Sequence, residues 1–161
     1  MGMICSGKST YCKNAAQHGQ LILNDDAIVN LVHADQYHLY EEELKIVYKS
    51  LENHLVSSVL TVGRSIVVDR GVNVSKSART RWIALARCFD VPCEAVVFHK
   101  ESPEIHAERR VRHDDRGYDY AYWLKVAQRH DSIYAEPTLE EGFSNVHNIE
   151  FSDITNGKVI K

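Results

Sequence analysis

A glycine-rich segment at the start of the chain has the composition of a phosphate-binding loop. It reads Gly2-Met3-Ile4-Cys5-Ser6-Gly7-Lys8-Ser9, with Thr10 directly after it. Glycines let successive backbone N–H groups converge on phosphate oxygens at the start of a helix, and a lysine and a hydroxyl at these offsets suit the β- and γ-phosphates and Mg²⁺. The segment predicts a P-loop that binds a nucleoside triphosphate. We assign nucleotide binding to Gly2, Ser6, Gly7, Lys8, Ser9 and Thr10.

Two aspartates follow apolar, β-branched runs that we predict to be strands, at residues 28–34 and 65–69. Ligands of an open parallel sheet bind beyond the carboxyl ends of its strands, so both aspartates are expected in the cleft that holds the triphosphate. Asp69 has the form of the carboxylate that holds Mg²⁺ together with Ser9. Asp35 is the better candidate for a general base that takes the proton of an attacking hydroxyl. An aspartate that only caps or forms a turn is the alternative for each.

Four arginines, at positions 109, 110, 112 and 116, form a basic cluster in the second half of the chain. Phosphoryl transfer builds negative charge that an enzyme must meet with cations. We therefore predict that Arg109, Arg112 and Arg116 act with Lys8 in catalysis and that they lie on a lid. The alternative is a solvated, charged helix face.

Hydrophobic periodicity predicts alternating strands and helices. The helices are expected at residues 9–18, 41–60, 75–89, 102–113 and 118–134, and the strands at 28–34, 65–69, 94–99 and 146–151. This order predicts an α/β fold, a three-layer sandwich with a parallel sheet and helices on both faces. We expect one domain over residues 1–154 and a tail over 155–161. The strand that should precede the P-loop is reduced to Met1, which suggests a shortened chain.

The composition is that of one ordinary globular domain of 161 residues with a formal net charge of −3. This charge argues against a protein that coats long nucleic acids, but it leaves room for a local basic site. No apolar run is long enough to span a membrane, and the N-terminus lacks the charged-then-apolar pattern of a signal peptide, so we expect a cytoplasmic protein. The four cysteines are expected to be reduced, and Cys5 in the P-loop is either an incidental small residue or a thiol with a lowered pKa.

Together these residues resemble the P-loop polynucleotide 5′-hydroxyl kinases of the bacteriophage and animal repair type, over nearly the whole chain. The resemblance is carried by residues 2–10, by His33-Ala34-Asp35-Gln36-Tyr37-His38, by Val67-Val68-Asp69 with the following Arg79-x-Arg81-Trp82, by the arginines, and by residues 137–143. It implies a P-loop kinase fold with an arginine-bearing lid. It also implies ATP and Mg²⁺ as cofactors, Asp35 as the general base, and a loop containing Gly142 that closes near the adenine.

The chain departs from this family pattern at the proposed acceptor side. His38 stands where the phage-type enzymes have an arginine, and Asn73 lies four residues after Asp69 rather than three. The acceptor implied by the resemblance is the 5′-hydroxyl end of a nucleic acid. The alternatives are a small-molecule kinase of the zeta-toxin-like branch, acting on a sugar, nucleoside or nucleotide sugar, and a non-catalytic ATP-binding fragment. The sequence does not decide whether the acceptor is DNA or RNA, and it does not decide the oligomeric state.

Overall fold

The structure is a computed structural model that describes residues 1–114, 117–150, 153–154, 157 and 159–160. Helices and strands alternate along the chain as the sequence predicts. Their bounds are α1 Lys8–Gln17, β1 Leu21–Asn24, α2 Asp25–Val32, α3 Lys45–Thr61, β2 Ile66–Asp69, α4 Lys76–Cys88, β3 Glu94–Phe98, α5 Pro103–Arg112, α6 Tyr120–Ser132 and β4 Asn145–Ile149. In the described part of the chain, no helix is both long and apolar enough to cross a membrane.

The chain forms two compact units. The first unit contains Met1–Tyr11 and Gly71–Lys161, and the second contains Cys12–Arg70. Each unit holds one parallel pair of strands, β3 with β4 in the first unit and β1 with β2 in the second. The α/β character and the parallel pairing are confirmed. The described strands form two separate sheets, however, and not the continuous sheet that a three-layer sandwich requires.

Met1 occupies a strand position by itself, beside β3. Its terminal nitrogen donates to the Val96 carbonyl, and the Phe98 N–H donates to the Met1 carbonyl at 2.8 Å. These two bonds on either side of Val97 are the pattern of a parallel ladder. The segment before the P-loop therefore adds a single residue to the edge of β3.

The core of the first unit lies between β3, α4 and the segment before β4. Ala95 and Val97 of β3 pack with Ile83 of α4 and with Phe143, and all four are buried. Burying such side chains stabilises the fold by about 25 cal/mol for each Å² of apolar surface removed from water. This cluster holds β3 and β4 in place behind the loops that follow their carboxyl ends.

A buried arginine connects three segments of the first unit. The Arg79 guanidinium donates to both carboxylate oxygens of Glu141, at 2.6 and 2.9 Å. Its Nη1 also donates to the carbonyls of Asn73, Val74 and Ala135, at 3.3, 3.1 and 2.8 Å. The planar guanidinium satisfies several acceptors at once, which is what makes a buried charge tolerable. Arg79 therefore fixes the loop after β2 and the segment before β4 to helix α4.

In the second unit, the prediction of a strand at residues 28–34 is wrong. Helix α2 occupies Asp25–Val32, and the strand β1 lies earlier, at Leu21–Asn24. The Asn24 side chain caps the helix by accepting the Ala27 N–H at 3.1 Å. The two aspartates that follow place negative charge at the positive, N-terminal end of the helix dipole, which stabilises the helix. Ile28 is buried whereas Leu31 is 73% exposed, as expected for a helix that buries one face.

The other predicted elements agree with the structure to within a few residues. Helices α4 and α5 begin after the predicted cap Ser75 and after Ser102, whose hydroxyls accept the N–H groups of Ala78 and Ile105. Strand β4 ends at Ile149, and the predicted last residue of this strand, Phe151, lies outside the described residues. The division into a domain over 1–154 and a tail stays a prediction.

Candidate functional site

The P-loop of the first unit forms the turn that its sequence predicts. Helix α1 begins at Lys8, and the lysine ammonium donates to the carbonyls of Gly2 and Met3, at 2.8 and 2.6 Å. Gly7 has a φ of 96°, in the left-handed region that favours glycine. The lysine is thereby folded over the mouth of a loop at a helix N-terminus, which is a site for an anion.

The close packing of the loop leaves no room for a side chain at position 2, where the residue is Gly2. A Cβ at this position would lie 2.5 Å from the Ser6 hydroxyl and 2.9 Å from Cβ of Phe98. Ser6 itself is buried, and within the described part of the chain its hydroxyl has no hydrogen-bond partner. A buried polar group without a partner is costly, so this hydroxyl suits a polar ligand in the loop.

Two arginines of α5 act electrostatically on the P-loop. Burial raises the pKa of the Cys5 thiol, while the positive charges of Arg110, Lys8 and Arg109 oppose this rise. Arg110 opposes the rise of the Cys5 pKa more strongly than Lys8 or Arg109 does, although the sequence analysis assigned Arg109 and Arg112, and not Arg110, to catalysis. The hypothesis of a reactive Cys5 thiol with a lowered pKa is wrong, because desolvation outweighs the neighbouring charges.

The three arginines assigned to catalysis differ in their surroundings. Arg109 lies 3.5 Å from the Glu101 carboxylate and is partly buried. Arg112 is largely exposed and lies 3.8 Å from Glu108, one turn earlier on the same helix. Arg116 lies outside the described residues. Arg109 is therefore the better placed of the two described arginines to act on the loop, whereas Arg112 has the surroundings of a solvated helix face.

His106 supports Arg109 from inside the first unit. This histidine is fully buried. Its Nε2 accepts the backbone N–H of Glu101 at 3.1 Å. Burial, followed by the charge of Arg109, lowers the pKa of His106 to about 4, so the ring is neutral at pH 7. His106 thus fixes the residue that pairs with Arg109 and adds no positive charge of its own.

The segment before β4 has a structural reason for its glycine. Gly142 follows the short turn Leu139–Glu141 with a φ of 110°. A Cβ there would clash with the Arg87 side chain and lie 3.0 Å from Ile83. Glycine is required by this backbone whether or not the segment contacts a nucleotide, and the adenine-binding role of Gly142 stays a prediction.

The second unit places carboxylates at the carboxyl ends of its two strands. Asp69 is the last residue of β2 and is paired in register with Asn24, the last residue of β1. The Asn24 amide donates to the Asp69 carboxylate at 3.3 Å. The expectation that Asp69 ends a strand is confirmed. Its carboxylate is buried and oriented, which suits a Mg²⁺ ligand, since Mg²⁺ takes one or two carboxylates and otherwise phosphate and water oxygens.

Asp25, which the sequence did not single out, lies beside this pair. It directly follows Asn24, and its carboxylate lies 3.3 Å from Nε of Arg70. The same nitrogen lies 3.4 Å from the carboxylate of Glu52, which is buried. Burial raises the pKa of Asp25 to about 6; Arg70 opposes this rise, and Asp26 and Glu52 add to it. A carboxylate that titrates near neutral pH is suited to accept a proton.

Asp35 has a different position from the one predicted. It follows helix α2 and not a strand, its side chain is exposed, and its φ is 64°. Its N–H donates to the Asn30 carbonyl at 2.8 Å, and Ala34 before it is also left-handed. This is the Schellman pattern that closes a helix. Asp35 therefore does not end a strand, and its role as a base stays a prediction.

The predicted site residues are divided between the two units. Lys8, Ser9 and the arginines of α5 belong to the first unit, and Asp35 and Asp69 belong to the second. Within the first unit the structure brings together Lys8, Cys5 and Arg109. Within the second unit it brings together Asp69, Asn24 and Asp25. In the described residues, no group of three or more histidine, cysteine or acidic side chains could hold a metal ion.

The fold and the P-loop define a nucleotide-binding α/β protein of the P-loop NTPase type. The AAA_33 family, described as an AAA domain, matches residues 1–137 of the chain. The chain therefore belongs to this family, which has kinase-type members, polynucleotide kinase-like proteins among them. Domains of this type generally bind ATP with Mg²⁺. None of the curated proteins matches the chain significantly.

Proposed function

We propose that this protein is an ATP-dependent kinase that phosphorylates the 5′-hydroxyl end of a polynucleotide. The observation that carries the proposal is the P-loop turn of the first unit, in which Lys8 closes over the carbonyls of Gly2 and Met3 at the start of α1. The family match to residues 1–137 supports a kinase-type activity. The polynucleotide acceptor rests on the resemblance of the sequence to 5′-hydroxyl kinases.

The first unit would bind and polarise the donor. The P-loop N–H groups and Lys8 would bind the β- and γ-phosphates, and Ser6, Gly7 and Thr10 would complete the cradle. Arg109 would balance the charge that develops on the transferred group. Ser9 is the predicted Mg²⁺ ligand of the first unit and Asp69 that of the second, and bound Mg²⁺ would supply positive charge to phosphate oxygens.

Asp25 is the proposed general base, in place of Asp35. The acceptor oxygen attacks the γ-phosphorus, the bond from this phosphorus to the β-phosphate oxygen breaks, and ADP leaves. The proton of the hydroxyl passes to the Asp25 carboxylate. Asp25 has the strand-end position that the argument from sheet geometry requires, and its pKa of about 6 leaves the carboxylate mostly ionised at pH 7. Asp35 instead lies in an exposed turn that closes helix α2, away from the strand ends.

A second candidate function is a small-molecule kinase on the same scaffold. The features in its favour are the net charge of −3 and His38, an exposed residue at a position where the resemblance implies an arginine in the phage-type enzymes. Such a kinase would bind a sugar, nucleoside or nucleotide sugar and would not need cations for a nucleic acid backbone.

Transfer from γ-labelled ATP to a panel of acceptors tests the proposal. The panel contains a 5′-hydroxyl oligonucleotide, the same oligonucleotide with a 5′-phosphate, nucleosides and sugars. We expect label only on the 5′-hydroxyl oligonucleotide, and a strongly reduced rate of labelling with Lys8→Ala. Label on a nucleoside or sugar, with none on the oligonucleotide, would establish the second candidate. ATP binding without transfer to any acceptor would indicate a non-catalytic protein.

A further inference from the structure

Two exposed tyrosines of the first unit stack on each other at the start of α6. The rings of Tyr118 and Tyr122 are nearly parallel, with centroids 4.0 Å apart and an interplanar angle of 15°. Both meet the ring of Trp123 edge to face, at 5.8 and 5.0 Å. Trp123 is only 6% exposed, whereas Tyr118 and Tyr122 are 46% and 43% exposed. The pair therefore presents aromatic surface to solvent from a buried anchor.

The backbone holds this pair in position. The N–H of Tyr118 donates to the Asp114 carboxylate at 2.6 Å. The N–H of Tyr122 donates to the carboxylate of Asp119, the N-cap of α6, at 2.8 Å. Two tyrosines fixed in this way lose little conformational freedom when a ligand stacks on them, so the cost of binding is low.

Two cations continue the same face of α6. Lys125 and Arg129 follow Tyr122 by three and seven residues, which places the three on one side of a helix. Both are exposed, and neither forms an ion pair among the residues that the structure describes. We name Tyr118, Tyr122, Lys125 and Arg129 the tyrosine stripe.

Single-stranded nucleic acid is the ligand whose chemistry matches the tyrosine stripe. Bases stack on exposed aromatic faces in a sequence-tolerant way, and adjacent cations follow the phosphate backbone. The positive charge of the stripe is a local feature, since the protein as a whole carries a net charge of −3. A protein interface would instead tend to lack lysine, which is depleted at such interfaces relative to the rest of the surface, whereas the stripe contains the exposed Lys125.

We infer that the tyrosine stripe is a binding surface for the single-stranded acceptor, with a base stacked on the tyrosine pair and phosphates near Lys125 and Arg129. This inference rests on the proposed function and extends it beyond the reacting atoms.

Binding of a fluorescent oligothymidylate to the full chain, measured by anisotropy, tests the inference. Tyr122→Leu keeps apolar bulk but removes the ring, and we expect it to weaken binding by about 5- to 150-fold, the range for one stacked base. The matched control is Tyr120→Leu, which changes a 40% exposed tyrosine of the same helix that takes no part in the stack. It is expected to bind like the parent. Equal thermal unfolding of the two variants shows that both are folded.

Salt dependence and cross-linking locate the contact independently. Lys125→Ala and Arg129→Ala are each expected to reduce the slope of log K against log salt by about 0.7. An oligonucleotide with 5-iodouracil is expected to cross-link, on irradiation, to the peptide that contains Tyr118 and Tyr122.

Three results would overturn the inference. The first is equal oligonucleotide affinity of the Tyr122→Leu and Tyr120→Leu variants, and the second is cross-links that map only outside the stripe. The third is a Tyr122→Leu variant that loses affinity for ATP alone, which would assign the stripe to the base of the donor. If the parent phosphorylates the oligonucleotide while the Tyr122→Leu variant binds normally, the inference fails and the proposed function stands. If Tyr122→Leu weakens binding while the parent phosphorylates nothing, the proposed function fails and the binding surface stands.

Discussion

Glu141 in the first unit and Asp25 in the second each lie beside an arginine, but their pKa values move in opposite directions. Burial alone would raise the pKa of Glu141, yet the hydrogen bonds and charge of Arg79 lower it below its ordinary value. Burial raises the pKa of Asp25 to about 6 in spite of Arg70. The presence of an arginine therefore does not decide whether a carboxylate stays ionised.

Geometry and the number of competing charges account for the difference. Glu141 accepts two short bonds from Arg79, at 2.6 and 2.9 Å, and a third from the Thr138 N–H at 3.3 Å. Asp25 has one contact of 3.3 Å to Arg70, which lies equally close to Glu52. The first carboxylate is held in its charged form and serves the fold. The second retains a proton affinity near neutrality, which is a property of catalytic groups.

The structural role of the first pair is open to direct test. Replacing Glu141 with glutamine leaves the buried Arg79 charge without its counter-ion, so we expect the free energy of unfolding to fall by about 3 to 5 kcal/mol. Urea denaturation of the parent and the variant measures this change.

An exposed ion pair of the same length is the control. Lys45 and Glu42 also lie 2.6 Å apart, but their side chains are 52% and 68% exposed. Glu42→Gln is expected to change stability by less than about 1 kcal/mol. Equal losses for Glu42→Gln and Glu141→Gln would show that burial is not what distinguishes the two pairs.

The cationic role of the first unit predicts a large kinetic effect at Lys8. Lys8→Ala removes the charge from the P-loop, and we expect phosphoryl transfer to fall by on the order of 10²- to 10³-fold. Lys13→Ala, an exposed lysine on the same helix, is expected to transfer at the parent rate. The difference is measured as the initial rate with labelled ATP, and equal rates for the two variants would remove Lys8 from the donor site.

A smaller effect is expected at Asn24, which has two separable contacts in the second unit. Asn24→Ala removes the cap of α2 and should cost about 1 kcal/mol of stability. It also frees the Asp69 carboxylate and should weaken Mg²⁺-dependent transfer by about 10-fold. Asn24→Ser retains a capping hydroxyl but not the amide donor, so we expect near-parent stability with the same loss of transfer. Normal transfer by Asn24→Ser would show that Asn24 acts only as a cap.

The sequence predicted the parts of the site whose chemistry is written in local motifs. The P-loop, the strand that ends at Asp69 and the helix of arginines all have residue types that specify their conformation directly. The run at residues 28–34 was misassigned, because a short apolar run suits a buried strand and a helix equally well. The cap Asn24 followed by two aspartates was the signal that would have identified the helix and moved the strand-end carboxylate to Asp25.

Other features could not be read from the sequence, because they depend on contacts between distant positions. Arg79 and Glu141 are 62 residues apart, and Asp25 and Arg70 are 45 apart. The burial of His106 and the stacking of Tyr118 on Tyr122 likewise depend on tertiary packing, which overrides the exposure that residue type alone suggests.

The most direct test of the account compares Asp25→Asn with Asp35→Asn in phosphoryl transfer to a 5′-hydroxyl oligonucleotide over a range of pH. If Asp25 is the base, transfer by the parent should rise with pH through about 6, because the carboxylate must lose its proton before it can accept one. Asp25→Asn should lower the rate by about 10²- to 10⁴-fold and abolish this rise, while ATP binding persists. Asp35→Asn should retain both the rate and the profile of the parent. A parent-like rate for Asp25→Asn, with the loss found in Asp35→Asn, would contradict the account.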